Sequence, residues 1–195
     1  MEKIRSFIAI ELSAEIKEEI SRFQEGLKKA DLPNVKWVDP NDIHLTLKFL
    51  GYTTADTIPA IITAIEETAA GIPPFQLTVG GLGVFPSPER VRVAWVGMAG
   101  DTDILGQFKQ RLDKSLAALG FSAEKRVFTP HLTLARVREL ATTGERQKMA
   151  RLIASADFSA SRPVSVDNIY LIRSLLTPKG AVYSRIGTVV LQGPK

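Results

Sequence analysis

The chain contains no cysteine, which excludes disulfides and thiolate metal sites. It also lacks any apolar run near the ~20 residues that a membrane-spanning helix needs. The first residues, Met1-Glu2-Lys3-Ile4-Arg5, run straight into a strand-like segment without the apolar core of a secretory leader. From these absences a cytoplasmic protein is expected. No low-complexity segment or linker divides the chain. Histidine is nearly missing, with two among 195 residues. The remainder has the profile of an ordinary globular protein, with 45% hydrophobic and 24% charged residues. That length suits one sizeable domain or two fused lobes. The formal charge of +4 leans toward an anionic partner without specifying nucleic acid.

Both histidines open the same tetrapeptide: His44-Leu45-Thr46-Leu47 and His131-Leu132-Thr133-Leu134. A given histidine is followed by Leu-Thr-Leu by chance on the order of once in a thousand. Histidine is also the side chain whose proton exchanges most readily near neutral pH. A chain that uses both of its histidines in one repeated pattern points to paired acid–base chemistry.

The pattern of apolar residues places the motifs in a repeating order. Phe7 to Ile10 reads as a buried strand. Ser13 then caps a helix with Leu12, Ile16, Ile20, Phe23 and Leu27 on one face, broken at Pro33 and Asn34. A strand over 42–50 stops at Gly51, and a helix over 56–69 carries Pro59 in its first turn. The second half continues with strands over 75–79 and 91–96 and a helix over 102–119 stopped by Gly120. A strand over 130–137, a helix over 145–156 and strands over 164–172 and 181–191 complete the reading. The histidines are 87 residues apart, from 44 to 131. The same shift carries Ser13 and Asp56 to Gly100 and Thr143, each just before a further helix. Strand, helix, motif strand and helix thus occur twice. The expected architecture is α+β and bilobal: two lobes related by a pseudo-two-fold, each an antiparallel sheet with packed helices, and a cleft between them. Residues 1–195 are expected to fold as one bilobal domain.

Alternation along a strand predicts Ile43, Leu45, Leu47 and Phe49 under the helices and His44, Thr46 and Lys48 on the open face. It likewise turns Leu132 and Leu134 inward and His131, Thr133 and Ala135 outward. Each motif then presents an imidazole and a hydroxyl together. Two opposed imidazoles supply a general acid and a general base, and the threonine hydroxyls can hydrogen-bond an anion's oxygens. Phosphodiester cleavage fits this set without a metal. Neither motif has an adjacent carboxylate to complete the three protein ligands of a catalytic zinc.

Other features are secondary. Gly80-Gly81-Leu82-Gly83 lacks the third spaced glycine and following helix of a phosphate loop and reads as turn or bend glycines. Lys125, Arg126, Arg136 and Arg138 flank the second motif and could meet phosphate. Arg136 has the parity of Leu134, so it reaches the cleft only if the strand ends or bulges. Trp37 and Trp95 read as core residues.

With these residues in view, the chain resembles the two-histidine phosphoesterase superfamily, in its 2′-5′ RNA ligase-like branch, the RNA 2′,3′-cyclic phosphodiesterases. The resemblance rests on Arg5-Ser6-Phe7-Ile8-Ala9-Ile10, both motifs with their flanks Lys48-Phe49-Leu50-Gly51 and Phe128-Thr129-Pro130, and Gly81-Leu82-Gly83-Val84-Phe85-Pro86. It closes with Ser174-Leu175-Leu176-Thr177-Pro178-Lys179-Gly180. It implies hydrolysis of an RNA 2′,3′-cyclic phosphate end to a 2′-phosphate, with no cofactor, metal or ATP. By that resemblance His44 is the proton donor to the leaving 3′-oxygen and His131 the proton acceptor from water, with Thr46 and Thr133 beside them. Arg136 would contact phosphate or base, and Phe7 would line a base pocket or simply be buried. The partner is an RNA or oligonucleotide end, the protein is expected to be a monomer, and reversible 2′-5′ ligation is a second activity the family name carries.

Two other functions compete. A non-catalytic binding module for nucleotides or RNA ends would keep the threonines and cations but has no use for both histidines. A two-histidine enzyme acting on small cyclic nucleotides would share the entire motif set.

Overall fold

The computed structural model describes residues 3–122, 127–178 and 180–193. The first strand, β1 (Lys3–Glu11), leads into α1 (Ala14–Lys28), β2 (Val35–Trp37), β3 (His44–Thr54) and α2 (Ile58–Ala69). There follow β4 (Phe75–Phe85), β5 (Val93–Gly100), α3 (Thr102–Ala117), β6 (His131–Val137) and α4 (Thr143–Ser155). The chain ends with β7 (Val164–Val166), β8 (Asn168–Thr177) and β9 (Gly180–Val190). Two antiparallel sheets result, sheet one in the order β3-β1-β8-β9 and sheet two in the order β2-β6-β5-β4-β7. The α+β, two-lobed expectation holds, with one motif strand in each sheet, and β3 and β6 meet where the lobes face each other.

The helix cap read at Ser13 acts as anticipated, and the structure adds a second at Thr142. The Ser13 hydroxyl accepts from the Ile16 amide at 3.4 Å. Thr142 and Glu145 form a reciprocal capping box at the start of α4, satisfying amides that the helix itself leaves open.

The two inner helices are exchanged between the lobes. α1 leaves from β1 of sheet one but reaches sheet two. There the buried Gln24 amide donates to the carbonyls of Leu134 (2.9 Å) and Val38 (3.0 Å). Leu27 joins Ala135, Val137, Met149 and Ile153 in a cluster on that side. α3 leaves from β5 of sheet two and packs behind β3 of sheet one, where Asp113 meets Lys48 at 3.0 Å. One apolar core therefore contains side chains of both sheets, among them Ile8, Leu45, Leu77 and Leu132, together with Ile16, Ile65 and Phe108 from the helices. Each such buried side chain contributes about 1.5–3 kcal/mol by leaving water.

Three expectations change. Gly80–Gly83 lie inside β4 rather than at a turn. The pairing with β5 shifts between Val79 and Leu82, and Gly81 takes φ +71° in the resulting bulge. The segment 164–172 is two strands, since β7 pairs with β4 in sheet two and β8 with β1 in sheet one. The third concerns the motif strands and follows below.

Candidate active site

Both motif strands bulge at the fourth residue of the motif. On β3, Ile8 pairs with Lys48 and Ala9 with Thr46, so Leu47 is extra. On β6, Ala94 pairs with Ala135 and Trp95 with Thr133, so Leu134 is extra. A bulge puts two successive residues on roughly the same side and reverses the parity beyond it. Lys48 and Ala135, expected on the open face, are instead buried, and Phe49, expected in the core, is 54% exposed. The same reversal meets the condition set for Arg136, which is exposed between buried Ala135 and Val137.

The motif faces survive intact because they precede the bulge. His44, Thr46, His131 and Thr133 are all half-buried, while Leu45, Leu47, Leu132 and Leu134 are fully buried beneath them. His131 Nδ1 donates to the carbonyl of Thr129 at 2.7 Å. A carbonyl can only accept, so the proton sits on Nδ1 and Nε2 is left to face the cleft. The backbone of Asp42, also two residues upstream, supports the charged form of His44 through a hydrogen bond. Each imidazole thus has a backbone partner two residues upstream.

Their aromatic surroundings differ. Phe7 stacks on His44 with ring centroids 4.5 Å apart, and Tyr183 meets the same imidazole edge-on at 5.3 Å. Phe7 is 1% exposed, beneath the imidazole. Burial pushes the His44 pKa down to about 4, and the nearby cations Lys17 and Arg136 push the same way. The hydrogen bond to Asp42 and the charge of Glu11 oppose them. The charge of Arg136 on sheet two is felt by both His44 and Tyr183 of sheet one. A pocket of about 170 Å³ opens beside His44, lined by Glu11, Lys17, Asn41, Asp42 and Tyr183. A larger recess of about 500 Å³, between α2 and β9, includes none of these residues.

Beside His131 stand Phe85, edge-on at 4.9 Å, and Trp95 at 6.1 Å. Trp95, expected in the core, lies on the cleft face as the cross-strand partner of Thr133. Its Nε1–H is buried with no partner among the described residues. Trp95 can lie flat there because Gly83 has no side chain: a Cβ on Gly83 would fall 2.1 Å from the indole. Gly83→Ala is therefore expected to push the indole off its bed, disturb Phe85 and His131, and cost about 1–3 kcal/mol of stability. Paired measurements of tryptophan fluorescence and thermal midpoint check this; an unchanged spectrum contradicts it.

Trp95, Phe85 and Tyr183 were not singled out as site residues from the sequence. The parity of Val91–Val96 did carry a signal for Trp95, since it opposes buried Ala94 and Val96. Trp37 packs against the cluster on the α4 side, as expected. Lys125 and Arg126 lie outside the described residues. Among the described residues no three His, Cys, Asp or Glu side chains converge as a metal site, and no helix is long and apolar enough to cross a membrane.

One His–Thr motif therefore stands on a strand of each sheet of this α+β fold, on two strands that come together, the pattern of a two-histidine phosphoesterase. The chain belongs to the LigT-like phosphoesterase family, whose model matches twice, over residues 10–95 and 96–183, once around each motif. It is 35% identical to an RNA 2′,3′-cyclic phosphodiesterase of Methanothermobacter thermautotrophicus over 182 residues, 93% of this chain and 96% of that protein. A protein of the same name from Thermotoga maritima is 35% identical over 92% of this chain and 91% of its own length. Among solved structures, E. coli LigT complexed with 3′-AMP is 27% identical, with a TM-score of 0.78 over 98% of this chain and 99% of that one.

Proposed function

We propose that this protein opens the 2′,3′-cyclic phosphate at the end of an RNA strand to a 2′-phosphate, as a monomer in the cytoplasm and without metal or cofactor. The observation that carries the reading is the matched pair of anchored imidazoles, each with a threonine hydroxyl two residues along the same face. The names of the relatives supply the substrate class.

In the forward direction His131 Nε2 takes a proton from water as its oxygen forms a bond to phosphorus. The bond from phosphorus to O3′ breaks, and His44 gives its proton to that oxygen. The phosphate stays on O2′, and the histidines regain their starting states by proton exchange with solvent. Thr46, Thr133 and the Arg136 guanidinium hold the non-bridging oxygens, where charge develops in the transition state. A 5′-hydroxyl attacking in place of water, with the same two roles, would make a 2′-5′ linkage, and the reverse step, in which O3′ attacks and the 5′-oxygen leaves, would use the roles exchanged.

The low pKa of His44 bears directly on its role. With a value of about 4, its imidazole is neutral in nearly all free molecules at pH 7. A bound phosphate anion favours the protonated form, so binding itself loads the acid, and a poorly basic imidazole gives up its proton readily. By NMR, His44 is expected to titrate near pH 4 in the free protein and at clearly higher pH with a 2′-phosphate nucleotide bound. A downward or absent shift on binding contradicts the donor role.

The reading as a whole is tested with an oligonucleotide ending in a 2′,3′-cyclic phosphate, incubated in EDTA. Opening of the ring is expected; an activity that disappears in chelator and returns with added metal overturns the metal-free mechanism.

A further inference from the structure

The bulge at Leu134 has an effect beyond Arg136. Past it, Arg136 is exposed on β6, and Arg138, one residue beyond the strand's end at buried Val137, is exposed as well. Lys36, on the short edge strand β2, is the antiparallel partner of Arg136. Directly opposed residues in such a pair project from the same face, so Lys36, also exposed, extends that face by one strand. Among the described residues none of these three side chains is in an ion pair or a hydrogen bond. The row begins at Arg136, close enough to act on His44 and Tyr183 across the cleft, and ends at the open edge of sheet two.

A cyclic phosphate is a single anionic group, and the histidines, threonines and Arg136 already surround it. Two further unpaired cations leading away from it have no partner in a mononucleotide. They do in a polynucleotide, whose next phosphodiester follows one nucleotide upstream. We propose that Lys36 and Arg138 bind the backbone phosphates preceding the reacting nucleotide and so make the protein select an RNA end over a small cyclic nucleotide. This rests on the function proposed above.

The test compares kcat/KM for a 2′,3′-cyclic mononucleotide and for a short oligoribonucleotide with the same 3′-terminal cyclic nucleotide. Wild-type protein is set beside Lys36→Ala, Arg138→Ala and the charge-retaining Lys36→Arg. Each alanine variant is expected to lose about three- to tenfold on the oligonucleotide, chiefly through KM, with the mononucleotide rate unchanged. The slope of log(kcat/KM) against log[salt] for the oligonucleotide should flatten by about 0.7 per contact removed. Lys36→Arg should restore both. Equal loss on the two substrates, or none on either, overturns the proposal. Wild-type protein that opens neither substrate overturns the parent function, and this inference falls with it; activity on both without selective loss overturns this inference alone.

Discussion

Replacing either His44 or His131 with alanine is expected to lower turnover of a cyclic-phosphate-ended oligonucleotide by about 10²–10⁴-fold, with the fold intact. The size follows from the division of labour. One group must remove a proton from water while another delivers one to the departing oxygen, and water is a poor substitute for either. The fold should survive because both imidazoles are half-buried on the cleft face, above Leu45 and Leu132 rather than among the core side chains. Circular dichroism and the thermal midpoint check that part. The double variant should be little worse than the more damaged single one, since groups that act in one concerted step do not contribute additively. Near-normal turnover in either single variant would remove that histidine from the mechanism.

The second large effect concerns stability. Behind β3, Asp113 of α3 sits between Lys48 and Lys109, whose side chains are 3% and 6% exposed. Lys48 Nζ also donates to the carbonyl of Ser122 at 2.6 Å, and Lys109 lies over the Phe128 ring. Asp113→Ala leaves two buried ammonium groups facing each other without a counterion. Loss of the central partner of such a cluster is expected to cost about 3–5 kcal/mol, read from urea unfolding at neutral pH. Lys48→Met should cost less, because Asp113 keeps Lys109. The reverse order would mean that the carboxylate is not what holds the cluster together.

The sequence showed which motif side chains share the open face and hid much of the frame around them. His44, Thr46, His131 and Thr133 were legible because alternation is a local property and all four precede the bulges. The end of that regularity was not legible, because a bulge is decided by pairing with a neighbouring strand. Leu47 and Leu134 are displaced only against β1 and β5, and so Lys48, Phe49 and Ala135 came out on the wrong faces. Trp95 was misplaced for a related reason. Whether a tryptophan lies on a sheet or within a core depended here on Gly83, twelve residues away in sequence and directly opposite in space. The helix exchange was hidden as well, since Ile16, Ile20 and Leu27 mark a buried face without saying which sheet it covers. Ser13 and Gly120 needed only near neighbours, and they marked the helix ends they were expected to mark.

The central claim is that two opposed histidines direct water onto a 2′,3′-cyclic phosphate so that the bond to O3′ breaks. The most direct measurement takes an oligoribonucleotide with that terminus, treats it with wild-type protein, and determines by NMR or phosphatase-resistant mapping which hydroxyl carries the phosphate. A 2′-phosphate, formed in wild-type protein and lost in both His44→Ala and His131→Ala, is the predicted result. A 3′-phosphate, or a cyclic phosphate left intact by folded protein, would contradict it.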